Sequence, residues 1–140
     1  MTARQPTADQ FRAFRDDPHT GPVAQVNLLK FREVAEYGSE DPERASPCSG
    51  RDAYLRYAEA FEAMAAEVGG VCVFMGDAER FFIGEGDWDA VWINWFPNRQ
   101  AFIATLNHER YSDAHRHREA GLDHQQLIVT RPERIRAAPA

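Results

Sequence analysis

The chain has few of the features that mark the common classes of binding proteins. Among its 140 residues there is one lysine, Lys30, and acidic side chains outnumber basic ones by 22 to 16, so that the net charge is -6. Nucleic-acid binders need clustered lysine and arginine to contact phosphates, so this balance argues against a nucleic-acid partner. No apolar run approaches the roughly 18 residues of a membrane helix, and we therefore expect no membrane partner.

Signals for export, cross-linking and common cofactors are also scarce. The first six residues lack the apolar stretch of a signal peptide, and there are only two cysteines, so we expect reduced thiols and a cytoplasmic protein. The sequence has no phosphate-binding glycine loop, no nucleotide fingerprint and no serine elbow. Four histidines fall between positions 108 and 124, but no acidic or cysteine ligand completes a recognised metal spacing. We expect no metal and no other cofactor.

The hydrophobic fraction of 44% is enough for one well-packed domain. We expect that domain over residues 22–131, after an N-terminal helical extension (1–21) and before a C-terminal tail (132–140). Its patterning predicts strands over 23–31, 71–83, 88–96 and 127–130, a long helix capped by Ser49, and helical segments after Asn98 and over 109–120. The resulting β-α-β-β-α-β order predicts an α+β, ferredoxin-like subunit, in which a four-stranded antiparallel sheet carries its helices on one face.

The third predicted strand is apolar on both of its faces. One face includes Trp92 and Asn94, and the other consists mainly of Val91, Ile93 and Trp95. Helices on one side of the sheet can cover only one of these faces. We therefore predict a homodimer in which two sheets pack together as an α/β barrel. The alternative is that the N-terminal helix or the loop over 36–50 covers the second face.

Several short segments, in their order and spacing, resemble one family. They are residues 27–31 (NLLKF), 49–54 (SGRDAY), 68–70 (VGG), 88–89 (WD), 96–97 (FP) with Phe102, and Tyr111 with 117–122 (HREAGL). The family is the domain-of-unknown-function family 1330, within the dimeric α/β-barrel superfamily, and the resemblance covers residues 22–131. It implies a ferredoxin-like subunit and a barrel dimer. It implies little chemistry, because related branches include cofactor-independent monooxygenases, haem enzymes, polyketide cyclases and muconolactone-type isomerases.

Two asparagines interrupt otherwise apolar strands. A buried amide without a partner costs about 1–3 kcal/mol, so Asn27 and Asn94 must bond to something. We consider them ligand-binding candidates in a cavity, together with Trp92 and Tyr54. The alternatives are that each amide bonds a loop or a neighbouring side chain, and that Tyr54 is a core residue.

Candidates for proton transfer lie near the C-terminal end of the domain. Tyr111, His115 and Arg118 are spaced to share one helix face, where tyrosine and histidine could move protons and arginine could bind an anion. The alternative is a half-buried face that merely covers the sheet. His124, just before the last predicted strand, is a second acid–base candidate at the mouth of a cavity. We expect His117 to pair with Asp113.

These features predict a homodimer that binds a small organic ligand. If it is an enzyme, we expect cofactor-independent proton transfer, such as isomerisation, cyclisation or decarboxylation, with Tyr111, His115 and His124 as catalytic candidates. One alternative is a non-catalytic ligand-binding or structural dimer whose cavity is filled by Trp92, Phe96 and Leu29. Another is a haem-binding or monooxygenase-type protein.

Overall fold

The computed structural model describes residues 2–136 and 138–139. The elements in chain order are α1 (Ala8–Asp16), β1 (Val23–Phe31), a short 3₁₀ helix (Pro42–Ala45), α2 (Gly50–Ala66), β2 (Val71–Asp77), β3 (Ala90–Phe96), α3 (Arg99–Leu106), α4 (Tyr111–Gly121) and β4 (Leu122–Thr130). The strands pair antiparallel in the order β2-β3-β1-β4. The predicted ferredoxin-like α+β fold is confirmed.

Polar side chains cap the first turns of three helices, including the long helix for which the sequence predicts Ser49 as the cap. The side chains of Thr7, Ser49 and Asn98 each accept a hydrogen bond from the backbone N–H three residues further on. Each cap pairs one of the N–H groups that the first turn of a helix leaves free. Thr7 also forms the reciprocal capping box with Gln10.

Three strands have different bounds from those predicted: β3 begins at Ala90, two residues late, and β2 and β4 differ more. β2 ends at Asp77 instead of continuing to Ile83, and the segment that follows leaves Phe82 97% and Ile83 84% exposed. β4 begins at Leu122, five residues before the predicted start. Apolar alternation alone misplaced the end of β2 and the start of β4, because Phe82 and Ile83 are apolar but unpaired and residues 124–126 are polar but paired with β1.

Gly121 ends α4 without the positive φ of a C-terminal glycine cap. α4 runs directly into β4, and the residue after it has an extended backbone. Instead, this glycine allows α2 and α4 to approach closely, since an added Cβ would lie 2.3 Å from the carbonyl oxygen of Gly50. The small residue is needed for packing between helices.

The helices cover one face of the sheet. On that face Val23, Leu29, Trp92 and Phe96 are almost fully buried under the helices. α1 lies on the same side, where Phe14 makes an edge-to-face contact with Phe102 of α3 at 5.6 Å. The N-terminal helix therefore does not cover the second face.

The loop over 36–50 does not cover the second face either. Its Tyr37 is buried beside Ala53 of α2 and Ala120 of α4, on the helical side of the molecule. Within the single chain, Val71, Phe74 and Ile128 of the second face remain more than half exposed. Both intramolecular alternatives to a partner are wrong.

Positions 1, 137 and 140, which fall within the predicted extension and tail, lie outside the described residues. The division into an extension, a domain and a tail stays a prediction. Within the described ranges, no helix is long and apolar enough to cross a membrane.

Candidate functional site

A cavity of about 1240 Å³ lies between the helix-facing side of the sheet and helices α2, α3 and α4. Aromatic side chains make up much of its wall, including Tyr54, Tyr57, Phe61, Trp92 and Phe102. The N-terminal segment over residues 2–14 closes one side. The space therefore remains open within one subunit, although the sequence allowed for its being filled by Trp92 and its neighbours.

Two amide side chains on the sheet face this cavity. Gln25 of β1 and Asn94 of β3 are directly opposite each other in the sheet, so their side chains are adjacent on the same face. They are only 2% and 4% exposed, and both line the cavity. Among the described residues neither side chain has a hydrogen-bond partner. We call Gln25 and Asn94 the amide pair.

Asn27, one position further along the same face, is bonded within the protein. Its Nδ2 donates to the carbonyl oxygen of Trp92 at 3.0 Å, and its Oδ1 accepts from Nε2 of Gln125 at 3.2 Å. Gln125 in turn accepts from Arg118 at 2.8 Å. This chain of bonds fixes the orientation of each amide along the floor of the cavity.

Arg118 brings a guanidinium group to the cavity and is almost fully buried. Besides Gln125, it donates to the backbone carbonyl of Arg4 and, at 3.3 Å, to the carboxylate of Glu119. Arg4 bonds the same carboxylate at 3.2 Å and the backbone carbonyl of Leu122 at the end of α4. Two arginines thus share one acidic partner, and the group keeps one net positive charge.

Three tyrosine hydroxyls lie near this group. The hydroxyls of Tyr57 and Tyr111 are 3.4 Å apart. Tyr54 is fully buried, and its hydroxyl has no partner among the described residues. Burial raises the pKa of both Tyr54 and Tyr57, so both stay protonated at neutral pH and can donate hydrogen bonds.

His115 lies on the cavity wall, stacked at an angle on Tyr111 with 5.6 Å between ring centres. Burial, and then the nearby charge of Arg118, lower the pKa of His115 below its ordinary value. The imidazole is therefore neutral at pH 7. Its Nε2 lies 3.4 Å from Nε2 of Gln5 and 3.5 Å from the carboxylate of Glu119.

His124 is placed apart from His115, at the β4 side of the cavity. Its ring lies 5.3 Å from that of Trp88, and its Nδ1 is hydrogen bonded to Asp123. The structure therefore brings Tyr54, Tyr111, His115 and Arg118 to one cavity, and His124 lines the same cavity while contacting Trp88 and Asp123.

The comparison with known proteins decides the family. The family model described as "Domain of unknown function (DUF1330)" matches residues 48–132, which is more than half of the chain. The chain belongs to the DUF1330 family. The family predicted from the sequence is thus confirmed, and no curated protein matches the chain.

Solved structures resemble this DUF1330 protein over nearly all of its length. The RPA0582 protein of unknown function from Rhodopseudomonas palustris is 29% identical, with a TM-score of 0.83 over 96% of this chain and 99% of that one. Its methylated form gives the same identity and TM-score. The protein At3g17210 from Arabidopsis thaliana is 15% identical, with a TM-score of 0.55 over 81% of this chain and 98% of that one, and it shows the fold alone.

Sequence reasoning missed several groups in the DUF1330 cavity. Gln25 alternates with Asn27 on the same strand face, so the two-residue period was a signal that could have found it. Gln125 and the N-terminal Arg4 and Gln5 had no such signal, because their places depend on contacts more than 90 residues away in the chain.

One expected pair is wrong. His117 does not pair with Asp113, because its Nδ1 bonds the hydroxyl of Tyr37 at 2.6 Å, while Asp113 bonds Arg116. Asp89 has a structural contact, accepting from the backbone N–H of Phe31 at 2.8 Å. In the described part of the chain, no group of three or more His, Cys, Asp and Glu side chains is placed to hold a metal ion.

Proposed function

We propose that this DUF1330 protein binds a small, largely aromatic or apolar organic molecule in the cavity of each subunit, and that it does so as a homodimer. The amide pair supports this proposal most strongly. Two adjacent amides lie on an otherwise apolar sheet face, have no hydrogen-bond partner among the described residues and keep access only to the cavity. A ligand carbonyl or hydroxyl would supply the missing hydrogen bonds.

The wall of the cavity suits an organic ligand. The rings of Tyr57 and Phe61 each meet Trp92 edge to face and meet each other at a tilt, at 5.6–6.1 Å between ring centres, and together they present an aromatic surface. Binding sites for small molecules are typically apolar pockets with a few fixed polar groups. The cavity has this composition, with Asn27 and Gln125 held in place by their mutual bond.

The open face of the sheet supports the dimer. Val26, Ile93 and Trp95 of the central strands lie on that face, with the more exposed Val71 and Phe74 beside them. A second copy related by a two-fold axis would bury the same apolar surface on both chains at once. The ligand cavities lie on the opposite side of each sheet, so dimer formation would leave them accessible.

Binding is tested with the fluorescent aromatic probe anilinonaphthalene sulfonate. Trp88 and Trp92 line the cavity, so excitation of tryptophan should transfer energy to a probe bound there. The variant Asn94→Phe, which places a ring in the cavity, should abolish the transfer, while Gln100→Leu on the exposed surface of α3 should leave it unchanged. Equal transfer in all three proteins would contradict binding at this site.

A second candidate function, proton transfer, is favoured by the neutral imidazole of His115. A neutral imidazole in an apolar wall can accept a proton from a carbon next to a ketone, while the electron pair moves to the carbonyl oxygen. The hydroxyls of Tyr54 and Tyr111 lie on the same wall and can donate to that oxygen. The imidazolium then returns a proton to a different carbon of the enolate, which regenerates the neutral imidazole and completes an isomerisation without any cofactor; exchange of the imidazolium proton with water would carry deuterium into the molecule.

Deuterium exchange tests this chemistry. The probe is benzoylpropionate, an aromatic keto acid, incubated in D₂O and followed by the loss of its proton signal next to the ketone. Catalysed exchange that disappears in His115→Gln and persists in His124→Gln would support His115 as the base. Exchange no faster than without protein, despite bound probe, would leave a binding protein.

A further inference from the structure

The charges around the cavity differ in sign from those of the whole molecule. The chain carries 22 acidic residues and a net charge of -6, yet no aspartate or glutamate of the described residues lines the cavity. Arg4 and Arg118 do line it, and Glu119 behind them neutralises only one of the two. An anion entering this cavity meets no carboxylate on its wall and a guanidinium with little access to water.

The polar groups of the cavity wall form two separate clusters, which we call poles: the amide pair, and Arg118 with Gln125. The amide pair lies at the level of Gln25 on β1. Arg118 bonds Gln125 of β4. Gln125 is bonded to Asn27, two residues beyond Gln25 on β1, and is paired with Leu29, four residues beyond it. At about 3.4 Å per residue, two to four residues place the poles about 7–14 Å apart. The wall between them is aromatic, with Trp92 opposite Asn27 in the sheet.

We infer that the ligand is an aromatic carboxylic acid that carries a neutral hydroxyl or keto group at its far end. The carboxylate would lie at Arg118, the ring system against Trp92, and the neutral group at the amide pair. This inference rests on the proposed function and specifies its ligand class. Primary amides both donate and accept, so they suit a hydroxyl or carbonyl, whereas the planar guanidinium suits a carboxylate.

Three two-ring probes separate the two poles. Hydroxynaphthoate, with its hydroxyl and carboxylate at opposite ends, offers both groups; naphthoate lacks the hydroxyl; and hydroxynaphthamide lacks the charge. We expect hydroxynaphthoate to bind at least about tenfold more tightly than the amide and about fivefold more tightly than naphthoate. Dissociation constants come from fluorescence titration of the full chain.

Variants assign each preference to its pole. The double variant Gln25→Met/Asn94→Leu should bring the hydroxyl preference to within about twofold of unity and keep the carboxylate preference. Arg118→Gln should do the reverse. Because Arg118 also holds the N-terminal segment, thermal melts check its folding, and the amide-pair variant tests the inference without it. Gln100→Leu, an exposed amide change, is the control.

The outcomes distinguish this inference from the proposed function. The expected pattern of two independent preferences supports both. Equal affinity for all three probes, or a carboxylate preference that survives in folded Arg118→Gln, overturns the ligand class and leaves binding intact. If none of the three probes and no anilinonaphthalene sulfonate binds, the proposed function fails and this inference fails with it.

Discussion

Replacing Asn94 by leucine should stabilise the protein in the absence of ligand. Asn94 is 4% exposed, and its amide has no hydrogen-bond partner among the described residues. Leucine has a similar shape and removes the unpaired polar group. An unpaired buried amide costs about 1–3 kcal/mol, and water in the partly open cavity recovers some of that cost. We expect the free energy of unfolding to rise by about 1 kcal/mol, or about 3 °C in Tm.

Asn27→Leu is the matched control, with the same substitution on the same face of the sheet. Asn27 bonds the carbonyl oxygen of Trp92 at 3.0 Å and the side chain of Gln125 at 3.2 Å. Leucine would remove both bonds and leave Nε2 of Gln125 without this acceptor, so we expect a loss of about 2 kcal/mol. The two identical substitutions should therefore change stability in opposite directions.

Urea unfolding followed by circular dichroism measures both changes. The midpoint should move up for Asn94→Leu and down for Asn27→Leu, with similar slopes. If Asn94→Leu destabilised the protein as much as Asn27→Leu, Asn94 would have a structural partner. The amide of Asn94 would then not be available to a ligand.

Three further predictions concern pH, assembly and packing. The pKa of His115 is lowered from its ordinary value of 6.5 in the folded chain, so protonation favours unfolding. The free energy of unfolding should therefore be at its full value above pH 6.5 and should fall as the pH drops below it. Thermal melts should show a less steep fall in His115→Gln. Trp95→Glu on the open sheet face should reduce the mass in light scattering from twice 15.9 kDa to 15.9 kDa, while Leu55→Glu on exposed α2 should leave a dimer, and a dimeric Trp95→Glu would contradict this interface. In Gly121→Ala the added Cβ would lie 2.3 Å from a backbone oxygen of α2, so we expect urea unfolding to show a loss of about 3 kcal/mol. The control Gly38→Ala, whose Cβ would meet nothing within 4 Å, should change the free energy of unfolding little. A tolerated Gly121→Ala would mean that the helices can move apart.

Local features of the fold could be predicted from the sequence. The cap residues Thr7, Ser49 and Asn98 act within three positions of themselves, so their neighbours in the chain are sufficient to identify them. The two-residue period of β1 and β3 also placed Trp92 and Asn94 on one face correctly. These features depend on short-range geometry that the sequence order preserves.

Long-range partners could not be predicted in this way. Asn27 and Asn94 look alike in the sequence, but only Asn27 meets a partner from β4, because β4 pairs with β1 and not with β3. His117 has an acidic residue four positions earlier, yet it bonds Tyr37 from a loop 80 residues away. Local spacing gives the available partners within a helix, and tertiary packing selects others.

The most direct test of the account is a crystal structure of the protein grown with hydroxynaphthoate. We predict density for the ring system in the cavity beside Trp92, with the hydroxyl in hydrogen-bond distance of Gln25 or Asn94 and the carboxylate at Arg118. A well-diffracting crystal from saturating probe with only solvent in the cavity, or with the probe bound elsewhere, would contradict the account.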